Sequence, residues 1–210
     1  MDYAGLGLKV GLEIHQQVDT NKLFCDCPSE LREDTSGSFM RRLRPTQSEL
    51  GEVDRAAIEE ARKKLKFIYQ PLGTTCLVEA DEEPPHRGNE AAIDVALEMA
   101  LLLGAKPVDE IHFMRKIVID GSNTAGFQRS ALVAMNGRLE VGSKTIPIPM
   151  IGLEEDAARK IEQREDSVVY RLDRLGIPLV EISTGPVIES PEEAMKVALR
   201  LGSLLRATKK

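Results

Sequence analysis

Residues 6–18 alternate apolar and polar side chains with a period of two, and this pattern narrows the available folds more than any other stretch of the chain. Leu8, Val10, Leu12, Ile14 and Val18 point one way, while Lys9, Glu13, His15 and Gln17 point the other. Alternation of this kind marks a half-buried strand, in which residues i and i+2 share a face. Glu13 and His15 then stand side by side, roughly 7 Å apart at their Cα atoms. A carboxylate beside an imidazole on a rigid strand is a start for a metal or phosphate site. It is also what an ordinary solvated strand face displays.

The remaining pattern adds strands and separate helices. A helix is expected over 50–66, with Leu50, Val53, Ala57, Ala61 and Leu65 on one stripe and Thr46 and Glu49 as a capping box. Residues 71–89 form an acidic, proline-stopped excursion in which Cys76, Leu77 and Val78 could make a short strand. Asn89 caps a second helix whose buried face is expected to carry Ile93, Leu97, Ala100 and Leu101, with Gly104 at its end. Residues 111–120 read as a strand entering a glycine-containing turn. Residues 131–135 and 138–141 flank Asn136-Gly137, a strong hairpin signal. Residues 146–153 are a strand whose Pro147 and Pro149 imply an edge or irregular pairing. Residues 167–172 and 179–183 give two more strands around Gly176. Ser190, Pro191 and Glu193 open a last helix with Ala194, Val197, Ala198, Leu201 and Leu205 on its stripe. That helix reaches Lys210 without a stop signal, as expected of a piece of a longer protein. Hairpin-like strands with separate helices predict an α+β fold with a largely antiparallel sheet, in a single domain over 1–210.

Composition removes several function classes. The 210 residues include 42% hydrophobic and 30% charged side chains, enough for a real core. Aromatics are only 4%, with no Trp, which disfavours base-stacking platforms. A formal charge of -6 argues against a generic nucleic-acid coat, although Arg41, Arg42 and Arg44 make a local basic patch. No apolar run approaches the ~20 residues of a membrane helix. Three cysteines without framework spacing fit a reducing, cytoplasmic setting.

Two further stretches carry chemistry. Glu154, Glu155 and Asp156 end an apolar strand, and three adjacent carboxylates repel one another unless solvated, paired with bases or bound to Mg²⁺. Residues 120–128 combine amide and hydroxyl donors with two glycines, flanked by Arg115, Lys116 and Arg129, a composition suited to phosphate or ribose. Neither a P-loop nor a dinucleotide fingerprint is present. Cys25, Cys27, Cys76 and His86 could supply four zinc ligands, but Cys-x-Cys is tight and the other two are remote, so ordinary reduced thiols remain the alternative.

Taken together, four segments resemble the GatB/GatE family of tRNA-dependent amidotransferase subunits. They are Gly11-Leu12-Glu13-Ile14-His15 with Lys22-Leu23-Phe24-Cys25; Arg115-Lys116 with Asp120-Gly121-Ser122-Asn123 and Phe127-Gln128; Leu153-Glu154-Glu155-Asp156-Ala157; and Asp173-Arg174 through Glu181-Ile182 with Ser190-Pro191-Glu192-Glu193-Ala194. Their order and spacing match over nearly the whole chain. The Asp-Gly-Ser-Asn turn and the acidic loop are more similar to the archaeal GatE branch than to the bacterial GatB branch.

The resemblance implies a cradle-like catalytic domain related to glutamine synthetase. It implies ATP-dependent phosphorylation of the side-chain carboxylate of Glu-tRNA(Gln), followed by displacement of phosphate by ammonia to give Gln-tRNA(Gln). The ammonia would come from an asparaginase-like, GatD-type partner in a heterotetramer. Glu13, His15 and Glu155 match the family's metal positions, here for Mg²⁺. Glu154, Asp156 and Arg174 are expected at the catalytic centre. Lys116, Asn123, Gln128 and Arg129 are expected to contact ATP or the acyl phosphate. Bacterial members follow Cys-x-Cys with a Cys-x-x-Cys pair, which is missing here, so a family zinc ribbon does not carry over. A non-catalytic tRNA-binding or assembly module of the same complex is the rival reading.

Overall fold

The structure, a computed structural model, describes Tyr3 and residues 5–42, 51–53 and 55–208. Among the described residues, ten strands and three helices follow in the order β1 Glu13–Gln17, β2 Phe39–Arg41, α1 Arg55–Arg62, β3 Lys66–Gln70, α2 Glu90–Leu102, β4 Lys106–Pro107, β5 Phe113–Ile117, β6 Phe127–Val141, β7 Lys144–Glu155, β8 Arg159–Gln163, β9 Ser167–Arg171, β10 Pro178–Ser183 and α3 Pro191–Ala207. The fold is α+β and mostly antiparallel. The strands form two sheets. One has the order β1-β10-β7-β6-β4, with β5 also pairing β6; the other has the order β2-β3-β9-β8. The single parallel pairing among these strands is β3 with β9.

The six-stranded sheet has unlike faces because its strands alternate. Ile151, Leu153, Val180 and Ile182 all face one side and are sealed there with residues of α2 and α3, including Ala96, Met99, Ala100, Val197, Leu201 and Leu205. The opposite side presents Glu13, His15, Glu181 and Glu154, placed by the register His15↔Glu181 in β1–β10 and Leu179↔Glu154 in β10–β7. The helices therefore cover one face, and the polar row lies on the other. A second core, built around Phe67, Tyr69, Val168, Tyr170 and Leu172, belongs to the four-stranded sheet.

Several expected boundaries move. The hairpin joining β6 and β7 turns at Gly142-Ser143, not at Asn136-Gly137, through which β6 runs unbroken. Asn136 has a positive φ of 59° and interrupts the alternation there. Gly137 leaves room for the end of α2, since a Cβ would lie 3.0 Å from Ala105 Cβ and 3.1 Å from the Leu103 carbonyl. The Asn-Gly signature thus makes a close approach between strand and helix rather than a turn. Pro147 and Pro149 lie beyond the segment paired with β10, along an edge as expected.

The helix expected over 50–66 ends at Arg62, because Lys64 takes a positive φ and Lys66 must be extended to pair with Ser167. Thr46, Glu49, Leu50 and Arg44 lie outside the described residues. Leu77 and Val78 lie in a turn and Cys76 is irregular, so residues 76–78 form no strand. Asn89 caps α2 by accepting from Ala92 N–H, but the buried face is Ala92, Val95, Ala96, Met99 and Ala100, and Leu101 is 70% exposed. On α3, Ser190 accepts from Glu193 N–H as expected, while Ala198 is exposed and Val197, Leu201 and Leu205 make the seam.

The turn at 120–123, between β5 and β6 of the six-stranded sheet, docks on the second core. Tyr69 Oη donates to Gly121 O at 2.7 Å and Tyr170 Oη to Asp120 O at 2.8 Å. Gly121 has φ +86°, and a Cβ there would sit 2.2 Å from the Phe67 ring. We expect Gly121→Ala to cost about 2–4 kcal/mol through combined backbone strain and overpacking. Gly142→Ala, at φ +63° with open space around it, should cost only about 1 kcal/mol. Urea denaturation of both variants checks this, and equal losses would contradict the assigned role of the turn.

Candidate functional site

Glu13 and His15 share the open face of β1, with Glu181 of β10 across the ladder from His15. One ligand atom from each of these three lies within 4.8 Å of the others. His15 Nε2 is 3.5 Å from Glu13 Oε1 and 3.3 Å from Glu154 Oε1. Lys116 Nζ closes the row by donating to Glu154 Oε2 at 3.2 Å. Burial, then the charge of Glu154, pushes the Glu181 carboxyl above its ordinary value, with Glu13 adding to the rise and Lys116 and His15 opposing it. Crowded carboxylates with one imidazole on an accessible face can hold a divalent cation. Their oxygen-rich donor set fits Mg²⁺, which takes few protein ligands and keeps water.

The triple-acid stretch divides among three environments. Glu154 joins the polar row. Glu155, one residue on, points through the sheet to the other side, where Arg129 Nη1 contacts both its oxygens at 3.1 Å and Arg129 N–H donates at 3.0 Å. Glu155 is therefore not brought to Glu13 and His15. Strand alternation puts Glu154 there instead, and Glu181 joins Glu13 and His15 as the third close ligand group. Desolvation pushes the Glu155 carboxyl up against the pull of Arg129. Asp156 leaves the strand and takes two bonds from Arg174, at 3.0 Å from Nε and 2.7 Å from Nη2, plus one from Gln17 Nε2 at 2.8 Å. Since Gln17 follows His15 on the open face of β1, this fork lies beside the acidic row. Hydrogen bonding to Asp156 raises the Arg174 guanidinium further above its already high value, so it stays charged.

The residues expected to contact nucleotide separate in the same way. Lys116 reaches the acidic row. Gln128 Nε2 donates to the Glu155 carbonyl at 2.7 Å, bracing the end of β7. Arg129 is held on the core side by Glu155 and by the rings of Phe24 and Phe127, each 5.2 Å from its Cζ. Asn123 is buried, its Nδ2 has no hydrogen-bond partner among the described residues, and it lines a small cavity with Arg129, Glu155 and Glu79. Arg129 and Asn123 thus lie away from the acidic row, because their backbone positions give them to the other face and to the buried turn.

Sequence reasoning missed Glu181 as a site residue, although it is the one charged side chain in the apolar strand Pro178–Ser183. It also missed Glu79, which nothing in the pattern separates from Asp81, Glu82 and Glu83, yet which is buried while those three are exposed.

The GatB/GatE catalytic domain family matches residues 8–210. Curated relatives, each named as the E-type component of glutamyl-tRNA(Gln) amidotransferase, are 62% identical in Aeropyrum pernix, 59% in Saccharolobus islandicus and 58% in Thermococcus gammatolerans. Each alignment covers 100% of this chain and 33% of the relative, so the chain spans about a third of the length of those proteins. The chain belongs to the GatB/GatE catalytic domain family.

The two neighbouring glutamates should behave differently when truncated. Glu155→Ala strands the Arg129 guanidinium, on a side chain only 14% exposed, and is expected to cost about 3–5 kcal/mol of stability. Glu154→Ala leaves an exposed lysine and relieves crowding, and is expected to change stability by less than about 1 kcal/mol. Denaturant midpoints decide between them. Equal costs would show that the pairing described for Glu155 does not hold it.

Proposed function

We propose that this member of the GatB/GatE catalytic domain family is the kinase and transamidase part of a cytoplasmic tRNA-dependent amidotransferase. It would use ATP to phosphorylate the side-chain carboxylate of Glu-tRNA(Gln) and then let ammonia replace the phosphate. The names of its relatives support the substrate. The acidic row of Glu13, His15, Glu181 and Glu154 beside Lys116 and Arg174 supports the chemistry, and it is the one observation that carries this reading. The domain is read as a glutamine-synthetase-like cradle. In the whole protein it would act in a heterotetramer with a GatD-type, asparaginase-like partner, which delivers the ammonia.

Phosphoryl transfer asks a protein mainly for positioning and for neutralisation of charge. Glu13, His15 and Glu181 would hold Mg²⁺, with Glu154 beside them in place of the expected Glu155. Mg²⁺ held by these residues would supply neutralisation of nucleotide phosphate charge. Lys116, its Nζ held at the edge of the row by Glu154 and its side chain 56% exposed, presents a positive charge to a transferring phosphoryl group. Asp156 fixes the plane of Arg174, which is suited to a bidentate grip on a carboxylate or an acyl phosphate. In the first step a glutamate oxygen attacks the γ-phosphorus and ADP departs. In the second, ammonia attacks the acyl carbon, phosphate departs with the bonding pair, and the nitrogen loses a proton. Glu154, itself part of the row, would accept that proton.

The test is ATP hydrolysis by the full-length protein with its partner, first with Glu-tRNA(Gln) and then with uncharged tRNA. We expect hydrolysis to need the aminoacyl group, and Glu13→Ala and Glu181→Ala to lower it about 100-fold or more. Binding of tRNA should stay within about threefold of the parent in both variants. Hydrolysis indifferent to the glutamyl group, or unchanged in both variants, would defeat this reading.

A further inference from the structure

We propose that the groove between β5 and the loop 81–85 binds unpaired, amine-bearing bases at the 3′ end of an RNA and guides that end toward the acidic row. This inference rests on the substrate reading given above. The groove encloses about 630 Å³, a size that holds a ligand of nucleotide dimensions. Its sheet wall carries Phe113, Met114, Arg115, Phe127 and Arg129, and its other wall is the exposed segment Asp81-Glu82-Glu83-Pro84-Pro85.

Aromatic residues are scarce in this chain, yet Phe24, Phe113 and Phe127, three of its five phenylalanines, meet at this groove. Arg115 Cζ lies 5.5 Å from the Phe127 ring centroid, and Arg129 Cζ lies 5.2 Å from the centroids of Phe127 and Phe24. Phe24 in turn meets Phe113 edge-on at 4.9 Å. Arg115 is exposed and backed by this stack, so its guanidinium offers a plane on which a base can lie. The facing loop is seated before any ligand arrives. His86 N–H donates to Phe24 O at 2.9 Å and Glu82 N–H to Leu77 O at 2.8 Å. Gly88 lets the loop return close to the sheet, since a Cβ there would lie 3.0 Å from the Phe113 ring.

Charge and hydrogen bonding select the ligand. Asp81 and Glu82 pair with Arg41, and Glu83 pairs with His86 at 3.0 Å. These pairs offset much of the loop's negative charge, while the carboxylates keep further lone pairs as acceptors. The exocyclic amines of cytosine and adenine donate to such acceptors, and uracil has no amine to offer. A tRNA 3′ end reads CCA, so each of its bases carries one. A nucleoside triphosphate fits less well, because its concentrated charge would stand against three carboxylates, whereas an RNA phosphate is a single charge that Arg115 can take. The groove also lies on the way to the row. Among the described strands β5 pairs only with β6, and its successive residues Arg115 and Lys116 leave it on opposite sides. Arg115 lines the groove and Lys116 reaches Glu154, so an RNA end crossing this sheet edge passes from one to the other.

The test measures binding of uncharged tRNA(Gln) to the full-length protein, with the tRNA complete, stripped of its CCA end, or ending in UUU. The parent should bind the complete tRNA about 10-fold more tightly than either altered form. Arg115→Ala should bind all three alike, with its affinity for ADP unchanged. Glu83→Ala, on an exposed side chain, should narrow the preference about threefold and decides the matter if the arginine variant fails to fold. Equal binding of the three tRNAs by the parent would overturn the proposal, and so would a preference that survives intact in both variants. Loss of ADP affinity in Arg115→Ala with the CCA preference kept would also overturn it, giving the groove to the adenine of the nucleotide. These ratios involve neither the glutamyl group nor turnover, so they hold or fail separately from the ATP hydrolysis that tests the function.

Discussion

The register of the β1–β10–β7 ladder is the constraint on which the rest of the site depends. His15 lies opposite Glu181, and Leu179 lies opposite Glu154, so side chains far apart in the chain meet on one face without any help from loops. A slip of one residue in either pairing would exchange the two faces. Glu154 would then face the apolar core, and Glu155 would lose Arg129. The sealed side, with Ile151, Leu153, Val180 and Ile182 each 1% exposed or less, makes such a slip costly. The hydrophobic core thereby fixes the position of the carboxylates.

The same alternation explains why three adjacent acids coexist at the end of β7. Each finds a different neutralising partner: Lys116 for Glu154, Arg129 for Glu155, and Arg174 for Asp156. The first and third of these environments open toward a ligand, through Lys116 and Arg174, and the second supports the sheet from beneath. Gln128 and Gln17 bind the three together, one through the Glu155 carbonyl and the other through the Asp156 carboxylate. Positional rigidity of this kind is what an electrostatic site requires, since its groups must already be oriented before charge develops.

Much of this was legible in the sequence, and the failures have physical causes. The α+β class, the strand carrying Glu13 and His15, the caps of α2 and α3 and the edge prolines of β7 all follow from local pattern. Which of Glu154 and Glu155 faces the polar row depends on where β7 pairs with β10, and pairing register is not a local property. Asn136-Gly137 misled because a left-handed residue followed by glycine serves a turn and a kink equally well. The need at Gly137 was close contact with Ala105 and Leu103. The division of strands between two sheets, with β3 joining β9 in parallel, is set by long-range contacts that no window of sequence contains. Glu79 was hidden for the same reason, as its burial comes from Lys22, Cys25 and Gly176 folding over it.

Titration with Mn²⁺ as a paramagnetic stand-in for Mg²⁺ tests the assignment most directly, comparing the parent with Glu181→Ala and Glu155→Gln. Loss of Mn²⁺ affinity by about 10-fold or more in Glu181→Ala, with Glu155→Gln close to the parent, is the predicted result. The reverse order, with Glu155→Gln abolishing binding and Glu181→Ala sparing it, would contradict the proposed metal site on the open face of the sheet.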